Sequence, residues 1–141
     1  MKKFEEFVER GIVKKQSPQT SRARDLIESS KLKEKNIKEF IKKVGLKEEN
    51  ANEFIENCYS VLISAIRARL FLAGYGSSGY GAHEAEVSFM QELNFNENEV
   101  EFMDKLRYFR NGINYYGKKL DKEYAEKVIA YMNKILPRLI E

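Results

Sequence analysis

The residues best equipped for chemistry crowd into one short stretch, RNGINYYG, running from Arg110 to Gly117. Arginine donates a planar fork of N–H groups, asparagine both donates and accepts, and tyrosine adds a phenolic O–H. Together they suit the grip of a phosphate or of another backbone. Written on a helix, Arg107, Arg110, Asn111, Asn114 and Lys118 share one face, and Tyr115 lies one turn beyond Asn111. Arg107, Arg110, Asn114 and Lys118 are the phosphate or nucleic-acid contacts. Asparagine is a poor helix former, by up to about 0.7 kcal/mol against alanine, so Asn111 and Asn114 flanking Gly112 suggest selection for something other than helicity. Periodicity alone also accommodates Arg110 as a helix-end cation or as the ion-pair partner of Glu101 or Asp104.

Elsewhere the reactive residues exclude more than they offer. One cysteine, Cys58, cannot close an internal disulfide, and one histidine, His83, cannot build a histidine-based metal site. Neither a metal nor a cofactor is expected. The ordinary reading of His83 is a capping or packing residue at the start of a helix. Gly74, Gly76 and Gly79 satisfy GxGxxG literally, but that pattern cradles a pyrophosphate only between a strand and a helix of a βαβ unit. Here it follows a helix in a chain with no evident strand, and Tyr80 stands where a Walker loop needs lysine, so a plain loop is expected.

The elements that must position these residues read as helices. Phe4, Phe7, Val8 and Ile12 predict a short helix over about 2–14, with Gly11 weakening the pattern beyond its second turn. Ser17 and Pro18 read as cap and first residue of a helix over about 18–44, with Gly45 as its left-handed stop. The run from Phe54 to Leu72 is apolar around most of the helical circumference, which marks a central buried helix over about 49–73. A helix over 83–93 follows. Asn96 and Glu99 form a capping-box pattern opening a helix that ends at Gly117, with Phe102, Leu106, Phe109, Ile113 and Tyr116 as its core stripe. Asp121 caps a last helix over 122–139. The expected class is all-α, an up-and-down bundle of four or five helices with a short extra N-terminal helix, forming one domain over 1–141 with its core at about 17–139.

Composition agrees with a globular helical chain: 43% hydrophobic, 33% charged, two prolines and eight glycines in 141 residues. No stretch approaches the roughly 18 apolar residues of a membrane span, and the N-terminus is broken by acids, so a cytoplasmic protein is expected. The net charge of +3 hides a segregation. Residues 1–50 hold 14 basic and 9 acidic side chains, residues 51–104 hold 2 and 9, and residues 105–141 hold 9 and 4. Such blocks arise in bundles whose faces pair with each other; they also provide a basic surface for an anionic partner such as RNA.

The run CYSVLISAIRARLFLAGYGSSGYGAHEAEVSFM followed by LRYFRNGINYYG resembles the HEPN family of small helical bundles. Tyr59, Ala65, Arg67, Leu70, Gly74 and His83 match the first part of the pattern; Arg110, Asn111 and Tyr116 match the second. The resemblance, over residues 17–139, implies a homodimer, RNA or a nucleotide as ligand, and a toxin-antitoxin setting with a small nucleotidyltransferase as partner. It also implies a metal-independent ribonuclease motif in which Arg110 contacts the phosphate, Asn111 orients it and a histidine moves the proton. Tyr115 stands where that histidine belongs, so the resemblance makes Arg110, Asn111 and Tyr115 the catalytic candidates. A tyrosine of ordinary pKa is only about 0.1% phenolate at pH 7, so the resemblance implies a binding protein with a degenerate motif. The alternatives are an active ribonuclease using a tyrosine, or a structural helical adaptor. Tyr115 and Tyr116 are further implied as acceptors for a nucleotide added by the partner transferase.

Overall fold

The computed structural model describes all 141 residues apart from the side chains of Asn114 and Tyr115. It is an all-α bundle, 75% helix and 4% strand. Four long helices make its body: α2 (Thr20–Lys43), α3 (Ala51–Leu72), α5 (Glu97–Tyr116) and α6 (Lys122–Ile140). Two short ones, α1 (Phe4–Glu9) and α4 (Ala82–Ser88), and two three-residue strands, β1 (Val13–Lys15) and β2 (Tyr75–Ser77), complete it. No helix is long and apolar enough to cross a membrane.

The apolar circumference of α3 has the consequence that pattern predicts, since Phe54, Ile55, Cys58, Tyr59, Leu62, Ile66 and Leu70 are all buried. Against α3 pack α2 on one side and α6 on another, with α4 and α5 closing the rest. Fully burying one such aliphatic or aromatic side chain contributes about 1.5–3 kcal/mol, so this one helix anchors the whole domain. Ser30 in the middle of α2 is buried as well, donating to the Val61 carbonyl at 2.9 Å. The polar middle of α2 is unbroken helix that touches α3 through Ser30 and leaves Lys31, Leu32, Lys33, Lys35 and Asn36 exposed.

The capping signals read at Asn96, Asp121, Gly45 and Gly117 hold, whereas Ser17 caps no helix. Asn96 accepts from the Glu99 N–H at 2.8 Å while Glu99 accepts from the Asn96 N–H at 2.9 Å. Asp121 accepts from the Tyr124 N–H, and Gly45 and Gly117 both take the left-handed conformation after their helices.

Four expectations need correction. The N-terminal helix stops at Glu9, not near residue 14, because Gly11 turns the chain at φ +74° and Val13–Lys15 pairs antiparallel with β2, Val13 opposite Ser77. The helix expected from Pro18 starts at Thr20 instead. Gln16 and Gln19 donate their N–H groups to the carbonyls of Gly74 and Phe71, which holds residues 16–19 extended alongside the end of α3. The glycine segment contains β2 and is not a plain loop. A Cβ on Gly76 would lie 2.7 Å from the Gln16 side chain and one on Gly74 3.0 Å from its carbonyl, so close approach of the N-terminal strand accounts for both glycines. Finally, the helix expected over 83–93 is α4 followed by a tighter 3-10 turn at Phe89–Leu93, stopped by Asn94 at φ +65°.

On α5 the core stripe is also displaced. Val100, Met103 and Leu106 are buried, Phe102, Phe109 and Ile113 only partly, and Tyr116 is 86% exposed. The helix lies on its neighbours through Val100, Met103 and Leu106. Tyr131 of α6 donates to the Glu99 carbonyl at 2.6 Å, and Phe102 stacks on its ring at 4.3 Å. That rotation turns Tyr116 outward.

Candidate functional site: a groove between α4 and α5

Between the loop leading into α4 and the C-terminal half of α5 runs a groove of about 940 Å³. Its α5 wall is Arg107, Tyr108, Asn111, Gly112 and Tyr116, and Lys118 follows from the next loop. Its other wall is Tyr80, His83 and Glu84, joined by the small residues between Tyr80 and His83. Asn52, at the start of α3, pins the loop after α5 by donating to the Lys118 carbonyl at 3.0 Å and accepting from the Leu120 N–H at 2.8 Å. The lysine is thus held at the groove's edge, its ammonium 5.6 Å from the Phe109 ring centre.

Of the residues singled out on α5, Arg107, Asn111, Tyr116 and Lys118 meet at this groove. Arg110 does not line it; its guanidinium lies 5.4 Å from the ring centre of Tyr59, which is buried on α3. Asp104 pairs with Arg107 at 2.9 Å, so Arg107 takes the carboxylate that spacing also offered to Arg110. The side chains of Asn114 and Tyr115 lie outside the described residues.

Behind the groove sits a polar network that spacing did not single out. Glu86 on α4 is only 2% exposed and is fully engaged. Arg67 of α3 binds it through Nε at 2.6 Å and a terminal nitrogen at 2.9 Å, and the Ser77 hydroxyl of β2 donates at 3.0 Å. A terminal nitrogen of Arg67 also lies 3.4 Å from His83 Nε2, and the Tyr59 hydroxyl lies 3.2 Å from His83 Nδ1. Guanidinium can only donate, so Nε2 is the accepting nitrogen and Nδ1 carries the proton that goes to the Tyr59 oxygen. His83 and Glu86, three apart on α4, therefore face α3 together.

This packing sets the protonation states. Burial is the largest influence on His83 and lowers its pKa below the ordinary 6.5. Glu86 pulls the other way, and Arg67, Arg110 and Arg107 push down again. Burial pushes the Tyr59 phenol up to about 12, with Arg110 opposing, so it stays a neutral hydrogen-bonding group. Arg67 is held more firmly protonated by its bond to Glu86. Burial likewise pushes the Cys58 thiol to about 12, which leaves it inert. Among the described residues no cluster of histidine, cysteine and carboxylate side chains could hold a metal ion.

Sequence reasoning missed Glu86 and undervalued His83. One signal was available: Arg67 is the first charge after the uncharged run Cys58–Ile66, and a charge in a buried helix needs a buried partner. Three tyrosines were also undervalued: Tyr80, Tyr108 and Tyr116 are 102%, 67% and 86% exposed, and all three border the groove. No family model, curated protein or solved structure matches the chain.

Proposed function

We propose that the chain is a HEPN-like protein that binds single-stranded RNA in the groove between α4 and α5, with its ribonuclease motif degenerate. Arg107, Asn111 and Lys118 contact the phosphates and the exposed tyrosines stack on the bases. The observation that carries this reading is the gathering of Tyr80, Tyr108 and Tyr116 around one groove that also carries Arg107, Asn111 and Lys118. Exposed aromatic rings beside cations are the usual way to hold unpaired bases without reading their sequence, at about 1–3 kcal/mol per stacked base. Binding is favoured over cleavage because His83, the one imidazole of the chain, already has both ring nitrogens engaged by Tyr59 and Arg67. It is a poor stand-in for the proton-transferring residue absent at position 115.

Anisotropy of a labelled oligouridylate tests this directly. Tyr80→Ala and Tyr116→Ala, whose side chains support no core packing, should each weaken binding about fivefold to a hundredfold, with thermal stability unchanged. Wild-type affinity in both variants would refute the stacking role.

The exposure of Tyr116 favours a second reading of the same surface, in which its hydroxyl accepts a nucleotide from a nucleotidyltransferase partner acting on a homodimer. Intact mass after incubation with that transferase and ATP should then show one added nucleotide, lost in Tyr116→Phe; an unchanged mass would remove this reading.

A further inference from the structure

His83 is the one groove residue whose charge can change near neutral pH, and its surroundings leave it neutral while the groove is empty of anions. From α3 it faces Tyr59 and Arg67. From its own helix come Glu84, on the groove, and Glu86, which is bound to Arg67 and Ser77. From α5 come Arg107, itself paired with Asp104, and Arg110, and Lys118 stands at the groove's edge. The four cations Arg67, Arg107, Arg110 and Lys118 outnumber the three carboxylates Glu84, Glu86 and Asp104, so a proton added to His83 meets net repulsion. The added proton would also turn Nε2 from acceptor to donor, opposite a guanidinium that can only donate. Such a ring would have to turn Nε2 away from Arg67 toward an anion, and the groove that His83 lines is the place where a phosphate would sit.

We propose that His83 is a proton-linked phosphate contact: one phosphate of single-stranded RNA enters the groove together with one proton from solvent, which His83 takes on Nε2. This rests on the reading of the groove as an RNA site and adds to it a dependence on pH. The phosphate supplies the missing acceptor and offsets the repulsion from Arg67, Arg107 and Arg110. Affinity therefore rises as pH falls, between the histidine's pKa in the bound state and its lowered pKa in the free protein. With one proton linked, the slope is at most about tenfold per pH unit. The burial that keeps His83 neutral in the free protein acts in the same direction.

The single histidine makes the test clean, because its ring protons give the one imidazole signal in an NMR spectrum of the whole chain. The midpoint of that signal should rise when a saturating short oligouridylate is added, and His83→Gln should bind the same RNA with a flat pH profile between about pH 5.5 and 7.5. RNA that binds wild type without moving the midpoint would overturn the proton link and leave the RNA site standing. So would a glutamine variant that keeps the wild-type pH slope. If wild type fails to bind RNA across the whole range, both the link and the site are overturned. Should His83→Gln fail to fold, the wild-type NMR titration decides by itself.

Discussion

Gly112 is a residue whose identity the packing does not demand. Its backbone is ordinary helix, and a Cβ there would meet only the Lys118 side chain, at 3.5 Å, a normal contact. Glycine inside a helix destabilises by roughly 0.5–1 kcal/mol relative to alanine. Gly112→Ala should therefore raise stability by about that amount, read as a higher urea midpoint; a loss would mean the lysine cannot yield. His83 makes the second prediction at this scale. Its pKa is lowered in the folded state, so the unfolded chain binds more protons and stability is fully present above about 6.5. It is lost as pH falls through the histidine's lower folded-state value. Melting temperature should drop over that window in wild type, and His83→Gln should remove this part of the drop. Both residues show where legibility ended. Arg107, Asn111 and Lys118 could be placed on a common surface by helical spacing, whereas the outward turn of Tyr116, the Arg107–Asp104 pair and the Arg110–Tyr59 contact depend on how α5 lies against its neighbours.

At the scale of elements, most signals complete within four residues survived into the structure; the Ser17–Pro18 cap did not, because Gln16 and Gln19 are tied to the end of α3. Asn96 with Glu99, Asp121, Gly45 and Gly117 each fix a helix end through their own backbone neighbours. The strands were illegible for the opposite reason: three residues show no usable alternation, and Val13 finds Ser77 only after α2 and α3 have folded back. The Glu86 network then ties β2, α3 and α4 into one corner. Glu86→Ala would leave the Arg67 guanidinium, 29% exposed, without its carboxylate, and breaking a buried pair from one side typically costs about 3–5 kcal/mol. A loss near the lower end of that range is expected in chemical denaturation, with Ser77 and His83 also losing their order. A change under about 1 kcal/mol would show that the pair behaves as a surface ion pair and does not hold the groove's wall.

For the whole molecule, the bundle serves as a frame that sets a helix carrying Arg107, Asn111 and Tyr116 opposite a short helix carrying His83. The fold class was legible because α3 is apolar on nearly every side and must lie at the centre of other helices. The groove was only half legible, since its α4 wall is assembled from residues whose spacing to α5 exists in space alone. Charge segregation along the chain takes on meaning at this scale: the acidic middle supplies Glu86 and Asp104 as partners for arginines, and the basic C-terminal third supplies Arg107 and Lys118 to the groove. The measurement closest to the central claim is the salt dependence of oligouridylate affinity, in wild type and in the Arg107→Ala, Lys118→Ala double variant. Each lost phosphate contact should lower the slope of log affinity against log salt by about 0.7 for a single strand. The account predicts weaker binding and a slope shallower by about 1.4 in the double variant; equal affinities and equal slopes would contradict it.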